Sequence, residues 1–544
     1  MKHTVLPLFF LLISVFNLNG FAEKQNLANK STNTAMRVVS VYVDKFQTPL
    51  LMGKEINPVL RIGIETSGKN QHLDLNELLI HVTGDNVKLD IQEISVLYSG
   101  DGSSPGIGAL FGKTETLLNE VHIKGFQKLA EGKNIFLVCF KLKESANITG
   151  KIDASCVSVL IADKMIKPEV ISDPGPFRLG IALRKHNDDN ADTYRIPGLA
   201  TTTMNTLIAV YDIRRNNATD LQEDIDIGMS LSRDGGTTWT PMKVIMDMGE
   251  WGGRPQDENG VGDPSVLVDR QTNTIWVAAV WAHGYPREGN WMASKPGLKP
   301  EETSQLMLIK SEDDGKSWSE PINITSQIKD PKWYLILQGP GKGITLMDGT
   351  LVFPAQFKDE SQIPFSTIIY SKDHGKTWNI GTGALSNTTE AQVIELDDGH
   401  LMLNMRDNRN RTDDSENNGC SVYITSDLGK TWIKHPTSGK NILQESTCQA
   451  SLIKENFMVN GKKQKVVFFS NPNTKKGRHH MTIKTSLDDG QTWPEEYQLL
   501  LDEKNGRGYS CMTKIDDFTI GILYEDSQAD MTFQVIPVKE IINR

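Results

Sequence analysis

Three arginines stand at or near the ends of apolar runs, where a side chain can leave a strand and face a ligand. Arg195 lies in Tyr-Arg-Ile-Pro at residues 194–197, Arg406 closes the run Leu-Met-Leu-Asn-Met-Arg at residues 401–406, and Arg478 ends a polar loop. A guanidinium binds a carboxylate through two parallel hydrogen bonds and never deprotonates in a protein. Taken singly, an arginine such as Arg195 is more simply explained by an ion pair with an aspartate at the rim of a blade.

Hydroxyl and carboxyl groups suited to nucleophilic or acid–base chemistry occur in the same half of the chain. Tyr509 lies in Gly-Arg-Gly-Tyr-Ser, Glu390 begins Glu-Ala-Gln, and Asp220 lies in an aspartate-rich loop. A phenol has a pKa near 10, so it needs a neighbouring base or a positive field before it can act as a nucleophile. The alternative is structural, with Tyr509 as a core aromatic residue and Glu390 as a loop charge. The elements that position these groups therefore decide between the two interpretations.

A repeated turn motif is the main signal of architecture. The pattern Ser/Thr-x-Asp-x-Gly-x-x-Trp, an Asp box, occurs at residues 232–239, 311–318, 371–378, 425–432 and 486–493. Each copy combines an aspartate that can bond its own turn backbone, a glycine that tolerates positive φ, and a tryptophan large enough to cover a hairpin. Five copies at intervals of 54 to 79 residues indicate repeats of one β unit.

A second periodicity, of apolar strands that follow turn residues, supports the same interpretation. These strands begin near Leu207, Ile275, Leu351, Leu401, Val466 and Ile520. Six units over residues 177–544 have roughly 60 residues each, the size of a four-stranded propeller blade with long loops. We therefore predict an all-β chain with a six-bladed β-propeller. Five boxes are compatible with six blades if a terminal or functional blade lacks the turn.

The region before the propeller predicts a separate β domain. Residues 36–170 alternate apolar and polar positions in short runs without an Asp box, and a proline-rich connector follows at residues 172–176. This pattern favours an N-terminal β-sandwich over residues 23–176. Cys139 and Cys156 lie on predicted neighbouring strands and could pair. The five cysteines have no metal-site spacing.

Composition, net charge and the N-terminal segment narrow the class of protein to which this chain can belong. The 544 residues are 38% hydrophobic and 23% charged, which is typical of a globular chain with more than one core. The net charge of −10 argues against nucleic acid as a partner. An apolar run at residues 5–16 and Gly-Phe-Ala at residues 20–22 predict a signal peptide over residues 1–22, hence an exported protein, periplasmic or extracellular. About 12 apolar residues are too few to span a bilayer, so we expect no integral membrane segment after cleavage.

The Tyr-Arg-Ile-Pro motif ahead of five Asp boxes resembles the bacterial exo-α-sialidases (neuraminidases), over residues 194–525. The resemblance implies that Arg195, Arg406 and Arg478 bind the substrate carboxylate. It also implies that Tyr509 is the nucleophile and Glu390 its partner base.

The same resemblance assigns the residues around the sugar. It implies that Asp220 is the acid/base and that Arg214 and Asp263 contact the sugar's substituents. Asp224 and Asp226 remain alternatives to Asp220, because the loop after Arg214 is longer and richer in asparagine than the family pattern.

No metal or cofactor is implied. His479 and His480 suggest metal ligands, but neighbours on a strand point to opposite faces, and the acidic run at residues 413–416 is typical of a solvated loop. Candidates to line an apolar pocket or a platform for the leaving group are Trp281, Trp291 and Trp333.

A sialic acid carries a carboxylate on its anomeric carbon, so a neutral phenol approaches that carbon without the repulsion a carboxylate would meet. We therefore expect an exo-α-sialidase that hydrolyses terminal α-linked sialic acids of glycoproteins, glycolipids and oligosaccharides with retention of configuration. One alternative is a trans-sialidase or an intramolecular trans-sialidase. Another is a non-catalytic Asp-box propeller that serves as a binding module, which would need the boxes but not the arginine and tyrosine set. The N-terminal sandwich is predicted to bind glycan or to act as a spacer.

Overall fold

The computed structural model describes residues 34–103, 108–282 and 288–542, and their regular secondary structure is almost entirely β. The expected signal peptide lies outside the described residues. Within these ranges, no helix is both long and apolar enough to cross a membrane. The short α-helices are Val87–Asp90, Asn290–Ala293, Thr325–Ile328 and Lys539–Ile542, and the 3-10 helices are Asp188–Asn190, Gln256–Glu258, Asn408–Arg411 and Glu495–Tyr497.

Two sheets near the N-terminus form a β-sandwich, as predicted. One sheet has the spatial order Glu169–Ser172, Arg37–Asp44, Asn57–Ser67, Gly132–Leu142, Ile91–Tyr98 and Ala109–Thr114. The facing sheet has the order Phe177–Arg184, Lys151–Ile161, Asp74–Gly84 and Glu120–Lys128, with Lys164–Ile166 and Leu50–Met52 paired beside it. Alternating residues of both sheets, such as Ile62 and Ile80, are fully buried in one shared core. Burial of these apolar faces against each other holds the two layers together.

Cys139 and Cys156, whose pairing the sequence left open, do not pair. Cys139 lies on Gly132–Leu142 in one sheet, whereas Cys156 lies on Lys151–Ile161 in the other, and both thiols are free and buried. Burial raises the pKa of each thiol to about 12. An alternating pattern predicts strands but does not distinguish neighbours in one sheet from strands of facing layers.

The rest of the chain forms six blades. Blade 1 contains Thr193–Thr201, Leu207–Arg214, Ile225–Ser232 and Lys243–Met246. Blade 2 contains Val261–Val268, Ile275–Trp281, Gln305–Ser311 and Ile322–Asn323, with Gly341–Lys342 paired in parallel to its first strand. Blade 3 contains Leu335–Gln338, Ile344–Thr345, Leu351–Lys358, Pro364–Ser371, Asn379–Ile380 and Leu385–Ser386.

Blades 4 and 5 are regular, and blade 6 combines distant parts of the chain. Blade 4 contains Thr388–Glu395, Leu401–Asp407, Ser421–Thr425 and Ile433–Lys434. Blade 5 contains Ser451–Val459, Lys462–Pro472, Met481–Ser486 and Gln498–Asp502. Blade 6 contains Ser510–Lys514, Thr519–Tyr524, Met531–Pro537 and, as its fourth strand, Phe177–Arg184.

The blades close into a ring, which confirms the six-bladed propeller. The first strand of blade 1 contacts the first strands of both blade 2 and blade 6. Blade 6 also joins the two ends of the propeller, because Ile181 pairs with Phe533. The strand Phe177–Arg184 pairs in addition with Lys151–Ile161 of the sandwich. Blade 6 and one sandwich sheet are therefore one continuous hydrogen-bonded sheet.

Each Asp box forms a turn between two antiparallel strands of its blade: the third and fourth strands in blades 1, 2, 4 and 5, and Pro364–Ser371 and Asn379–Ile380 in blade 3. In blade 2, Ser311 Oγ donates to Asp313 Oδ1 at 2.9 Å, and the amides of Gly315 and Ser317 donate to Ser311 Oγ and Asp313 Oδ1, each at 2.9 Å. Blade 6 has no such turn, since its fourth strand comes from a point ahead of blade 1. Strand exchange at the closure therefore explains why six blades carry five boxes.

Candidate active site

Local irregularities in three first strands place functional side chains at one mouth of the propeller. Arg195 lies in the first strand of blade 1, Asp263 in that of blade 2 and Glu390 in that of blade 4, and the strand register shifts beside each of them. Ile196 and Asp263 have φ values of 60° and 59°, a left-handed conformation that a β-branched residue such as Ile196 rarely adopts. Such bulges redirect side chains out of the regular alternation and are common beside active sites.

Tyr509 is the residue on which these groups converge. It directly precedes the first strand of blade 6, and its hydroxyl donates to Glu390 Oε1. Arg406, in the second strand of blade 4, donates through Nη1 to the Tyr509 hydroxyl at 3.1 Å and to Glu390 Oε2 at 2.5 Å. A phenol, a carboxylate and a guanidinium thus share one hydrogen-bonded triangle.

Two further arginines flank the ring of this tyrosine. The guanidinium carbons of Arg195 and Arg478 each lie 5.5 Å from the Tyr509 ring centroid. Arg478, in the loop after the second strand of blade 5, donates to the Arg507 carbonyl oxygen at 2.8 Å. Arginines from blades 1, 4 and 5 therefore surround one nearly buried phenol.

Burial sets the protonation of the phenol. Removal from water, followed by the negative charge of Glu390, raises the pKa of Tyr509 well above its ordinary value, although Arg406 opposes the shift. The hydroxyl consequently keeps its proton at neutral pH and donates it to Glu390 in a hydrogen bond.

Glu525 is a member of the site that sequence reasoning missed. Its Oε1 accepts from Arg195 Nε at 2.6 Å and from the Ile196 amide at 2.9 Å, and its Oε2 accepts from the Tyr509 amide at 3.1 Å. Burial favours the neutral acid, but the Arg195 charge and these hydrogen bonds outweigh it and lower the pKa of Glu525. An acid directly after the apolar strand Thr519–Tyr524 was the available signal.

Asp220 is held at the mouth by Arg214. Arg214 Nη2 lies 2.7 Å from Asp220 Oδ1 and 2.9 Å from Asp212 Oδ2, and Nη1 donates to the Ala218 carbonyl oxygen at 3.0 Å. Asp220 is 70% exposed, whereas Arg214 is fully buried. Since protein groups already satisfy the buried guanidinium, its position suits support of the Asp220 loop better than the sugar contact that the resemblance implied.

The two alternatives to Asp220 have other partners. Asp226 is buried in the third strand of blade 1 and pairs with Arg215 at 2.7 Å. Asp224 accepts a hydrogen bond from Gln256 at 3.3 Å. Of the three aspartates, Asp220 is the one that shares a network with Arg214.

Asp263 is a buried carboxyl whose Oδ1 has no hydrogen-bond partner among the described residues. Burial, followed by the nearby charges of Asp220, Asp212 and Glu390, raises its pKa well above the ordinary value. Its backbone amide donates to Asp212 Oδ1 at 2.8 Å, which fixes the strand at this point. A neutral carboxylic acid at Asp263 can donate a hydrogen bond to a ligand.

The tryptophan candidates do not form one pocket. Trp281 is fully buried in the blade 2 core and donates to Asn259, so it does not line an open site. Trp333 stacks on Phe357 with ring centroids 3.9 Å apart. Trp291 is 38% exposed and lies under the Lys358 ammonium at 5.1 Å.

The histidine pair has a different geometry from the one predicted. His479 and His480 lie in a loop and not on a strand, and their Nδ1 atoms are 2.5 Å apart. Because neither residue lies on a strand, their side chains do not follow the strand alternation. Across the described ranges, no group of three or more His, Cys, Asp or Glu side chains could hold a metal ion.

Comparisons with known proteins agree with this geometry. A BNR repeat-like domain model matches residues 196–508, and a model for the N-terminal domain of BNR-repeat neuraminidase matches residues 39–165. The chain is 51% identical over 425 residues to a sialidase of Bacteroides fragilis, which covers 78% of this chain and 77% of that protein. It is 30% identical over 388 residues to a sialidase of Clostridium perfringens, which covers 68% of this chain and 95% of that protein.

Among solved structures, a Hadza microbial sialidase superimposes with a TM-score of 0.85 at 42% sequence identity, covering 92% of this chain and all of that one. The similarity thus extends over both the sandwich and the propeller. With its Asp boxes, its ring of six blades and these matches, the chain belongs to the BNR-repeat sialidase (neuraminidase) family of glycoside hydrolases.

Proposed function

We propose that this sialidase hydrolyses terminal α-linked sialic acids with retention of configuration, through Tyr509 as nucleophile. The observation that carries the proposal is the position of the Tyr509 hydroxyl between Glu390 and Arg406, with Arg195 and Arg478 beside the ring. A buried phenol placed among a base and three cations has no evident structural purpose. It suits attack on a carbon that carries its own carboxylate.

The three arginines would bind the substrate carboxylate. In the free site, Glu525 holds Arg195, Glu390 holds Arg406 and the Arg507 carbonyl oxygen holds Arg478. Their guanidinium groups repel one another, so an incoming carboxylate lowers the electrostatic cost of gathering them. Each charge-assisted hydrogen bond to that carboxylate contributes about 1.5 to 3 kcal/mol.

In the first step, the Tyr509 oxygen attacks the anomeric carbon and Glu390 accepts the phenol proton. Asp220, in its protonated form, donates its proton to the departing glycosidic oxygen. The products are a sialyl-tyrosine aryl glycoside, with the Tyr509 oxygen bonded to the anomeric carbon, and the free alcohol of the leaving group. The phenol's neutrality matters here because an anionic nucleophile would meet the substrate carboxylate.

In the second step, water attacks the same carbon from the side that the leaving group vacated. Asp220, now a carboxylate, accepts the water proton, while Glu390 returns its proton to the Tyr509 oxygen as that bond breaks. Two inversions give net retention. Asp263, with its neutral carboxyl, would donate a hydrogen bond to a sugar substituent. Arg214 would hold Asp220 within reach of the glycosidic oxygen and the attacking water.

Product analysis tests this proposal against transfer. The protein is incubated with 3′- and 6′-sialyllactose, and products are separated from substrate over time. We expect free sialic acid and lactose in equal amounts. Sialic acid transferred to added lactose, or an anhydro sugar, would favour a trans-sialidase or an intramolecular trans-sialidase. A folded protein that releases nothing would favour the non-catalytic module.

Two wider proposals accompany the activity. Export rests on the apolar run at residues 5–16, and fractionation of cells producing the full chain tests it. Glycan binding by the sandwich is the second, and a glycan array probed with the full chain and with a variant inactive at Tyr509 tests it. The sheet shared with blade 6 argues for using the full chain, because the sandwich is hydrogen-bonded to the propeller.

A further inference from the structure

A groove on the flank of the propeller lies between blades 4 and 5, and none of its lining residues belongs to the site around Tyr509. It has a volume of about 420 Å³. The segment that precedes blade 5 contributes Asn441 and Gln444, and the third and fourth strands of blade 5 contribute Lys484 and Gln498. This volume suits a small ligand.

Lys484 is the unusual residue of this groove. Its side chain lines the groove and is only 2% exposed. Within the part of the chain that the structure describes, no hydrogen bond or ion pair of the ammonium is found, and the group is not enclosed on every side. Burial lowers the pKa of Lys484 to about 8, so the group is still mainly charged at neutral pH. A buried cation without a partner is costly, and a bound anion would remove that cost.

Side-chain amides surround this cation. The amides that line the groove are Asn441, Gln444, Asn473, Gln491 and Gln498. Gln444 Nε2 donates to both the carbonyl oxygen and the Oδ1 of Asn473 at 2.8 Å, so the two are held in a fixed relation. Amides donate and accept hydrogen bonds at once, which matches the hydroxyl groups of a sugar.

Trp493 supplies an apolar surface beside the amides. It is partly buried, packs edge to face on Phe469 with ring centroids 6.0 Å apart, and lines the groove. An indole fixed in this way can contact the C–H face of a sugar ring. The exposed Glu495 is the one carboxylate of the lining, so the groove offers a single buried cation and suits a singly charged ligand.

We propose that this groove is a second, non-catalytic glycan site that binds an acidic sugar residue, with the sugar carboxylate on Lys484 and its hydroxyls on the surrounding amides. A neutral sugar would leave the buried ammonium unpaired. A simple carboxylate would leave the amides and the indole unused. The inference is independent of the chemistry proposed for Tyr509, and it would give the enzyme a contact with acidic glycans outside its catalytic mouth.

Site-resolved acylation of lysines in the native protein tests this inference. The protein is treated near pH 8 with an amine-acylating reagent, and the labelling rates of Lys484 and Lys462 are measured by peptide mass spectrometry. Lys462 is an exposed lysine on the second strand of blade 5 and serves as the control. The probes are N-acetylneuraminic acid, glucuronic acid, neutral N-acetylglucosamine and acetate.

We expect Lys484 to be labelled in the free protein and protected by at least one acidic sugar, with Lys462 unaffected. At a sugar concentration ten times the half-protecting one, mass action predicts labelling about tenfold slower. N-acetylglucosamine and acetate should not protect at that concentration. No labelling of Lys484 in the free protein, no protection, or equal protection by a neutral sugar or acetate would overturn the proposal.

A variant separates this site from the catalytic one. In Arg406→Ala the protection of Lys484 should persist, since Arg406 is not part of the groove. If that substitution abolishes the protection, the label reports occupancy of the mouth and the groove is not a site. Failure of the Tyr509 mechanism would leave the wild-type protection unchanged, so the two proposals fail separately.

Discussion

Arg195 and Glu525 lie 330 positions apart in the chain, yet the Nε of one is 2.6 Å from the Oε1 of the other. Arg195 belongs to the first blade and Glu525 follows a strand of the last. The ion pair therefore crosses the point where the propeller closes. Because Glu525 also accepts from the Tyr509 amide, closure of the ring and placement of the nucleophile depend on the same carboxylate.

Glu525→Gln should impair both stability and activity. The substitution removes the charge partner of a largely buried guanidinium, which costs about 3 to 5 kcal/mol. We expect the free energy of unfolding, measured in urea, to fall by about that amount. The value of kcat/KM should fall as well, because Glu525 also holds the Tyr509 amide. Glu503→Gln, at a surface pair 3.7 Å from Lys504, should change stability by less than about 0.5 kcal/mol. Equal effects of the two variants would show that Glu525 has no special role.

Tyr509→Phe should leave the fold intact and reduce kcat at least about 10³-fold, because it removes the nucleophilic oxygen and keeps the ring. A fluorinated sialoside that traps the glycosyl-enzyme should label wild-type Tyr509, and peptide mass spectrometry locates the label. A label on Asp220 or Glu390 would reverse the assigned roles.

Arg406→Ala should reduce kcat/KM on a natural sialoside by at least about tenfold, the loss of one charge-assisted hydrogen bond. Arg406→Lys should recover only part of the loss, since an ammonium keeps the charge without the two-pronged geometry. Kinetics on the carboxyl-reduced substrate provide the control. Some loss is expected there through the contact of Arg406 with Tyr509, but an equal loss on both substrates would mean that Arg406 does not bind the carboxylate.

Asp220→Asn should slow hydrolysis in a way that depends on the leaving group. Without a proton donor, the rate on sialyllactose should fall about 10² to 10⁴-fold, while a nitrophenyl sialoside, whose leaving group needs no proton, should lose far less in the first step. Asp224→Asn is the matched control and should behave like wild type on both substrates. A leaving-group effect at Asp224 would move the acid/base assignment to that residue.

The Asp boxes should contribute to stability at neutral pH and lose that contribution in acid. Hydrogen bonds from Ser317 and Ser311 lower the pKa of Asp313 from 3.8 to about 2. A depressed pKa stabilises the fold above the unfolded value, and that contribution is lost as pH falls through the folded value. The Tm difference between wild type and Asp313→Asn should therefore shrink between pH 4 and pH 2. A constant difference over this window would contradict the assignment.

Sequence reasoning succeeded where a local pattern carries the information. The Asp boxes and apolar strands predicted the blades because turn chemistry and strand burial are properties of a few neighbouring residues. It failed for Cys139 and Cys156, which a one-dimensional pattern placed on neighbouring strands although they lie in facing sheets. The suggestion that Trp281 lines a pocket failed for a similar reason. An aromatic residue in an apolar strand can face either the core or a ligand, and Trp281 faces the core.

Local patterns in the sequence sufficed to predict the repeat and the six units, and a family resemblance indicated the residues at the mouth. The tertiary structure alone decided how they meet. Glu525 reaches the site through its contact with Arg195 across the closed ring. Arg214 contacts Asp220 because the loop between them folds back. The missing sixth box has the same origin, since Phe177–Arg184 joins blade 6 from the other end of the propeller. Local residue types specify turns and strands, but pairing between distant segments depends on which buried surfaces fit together when the ring closes.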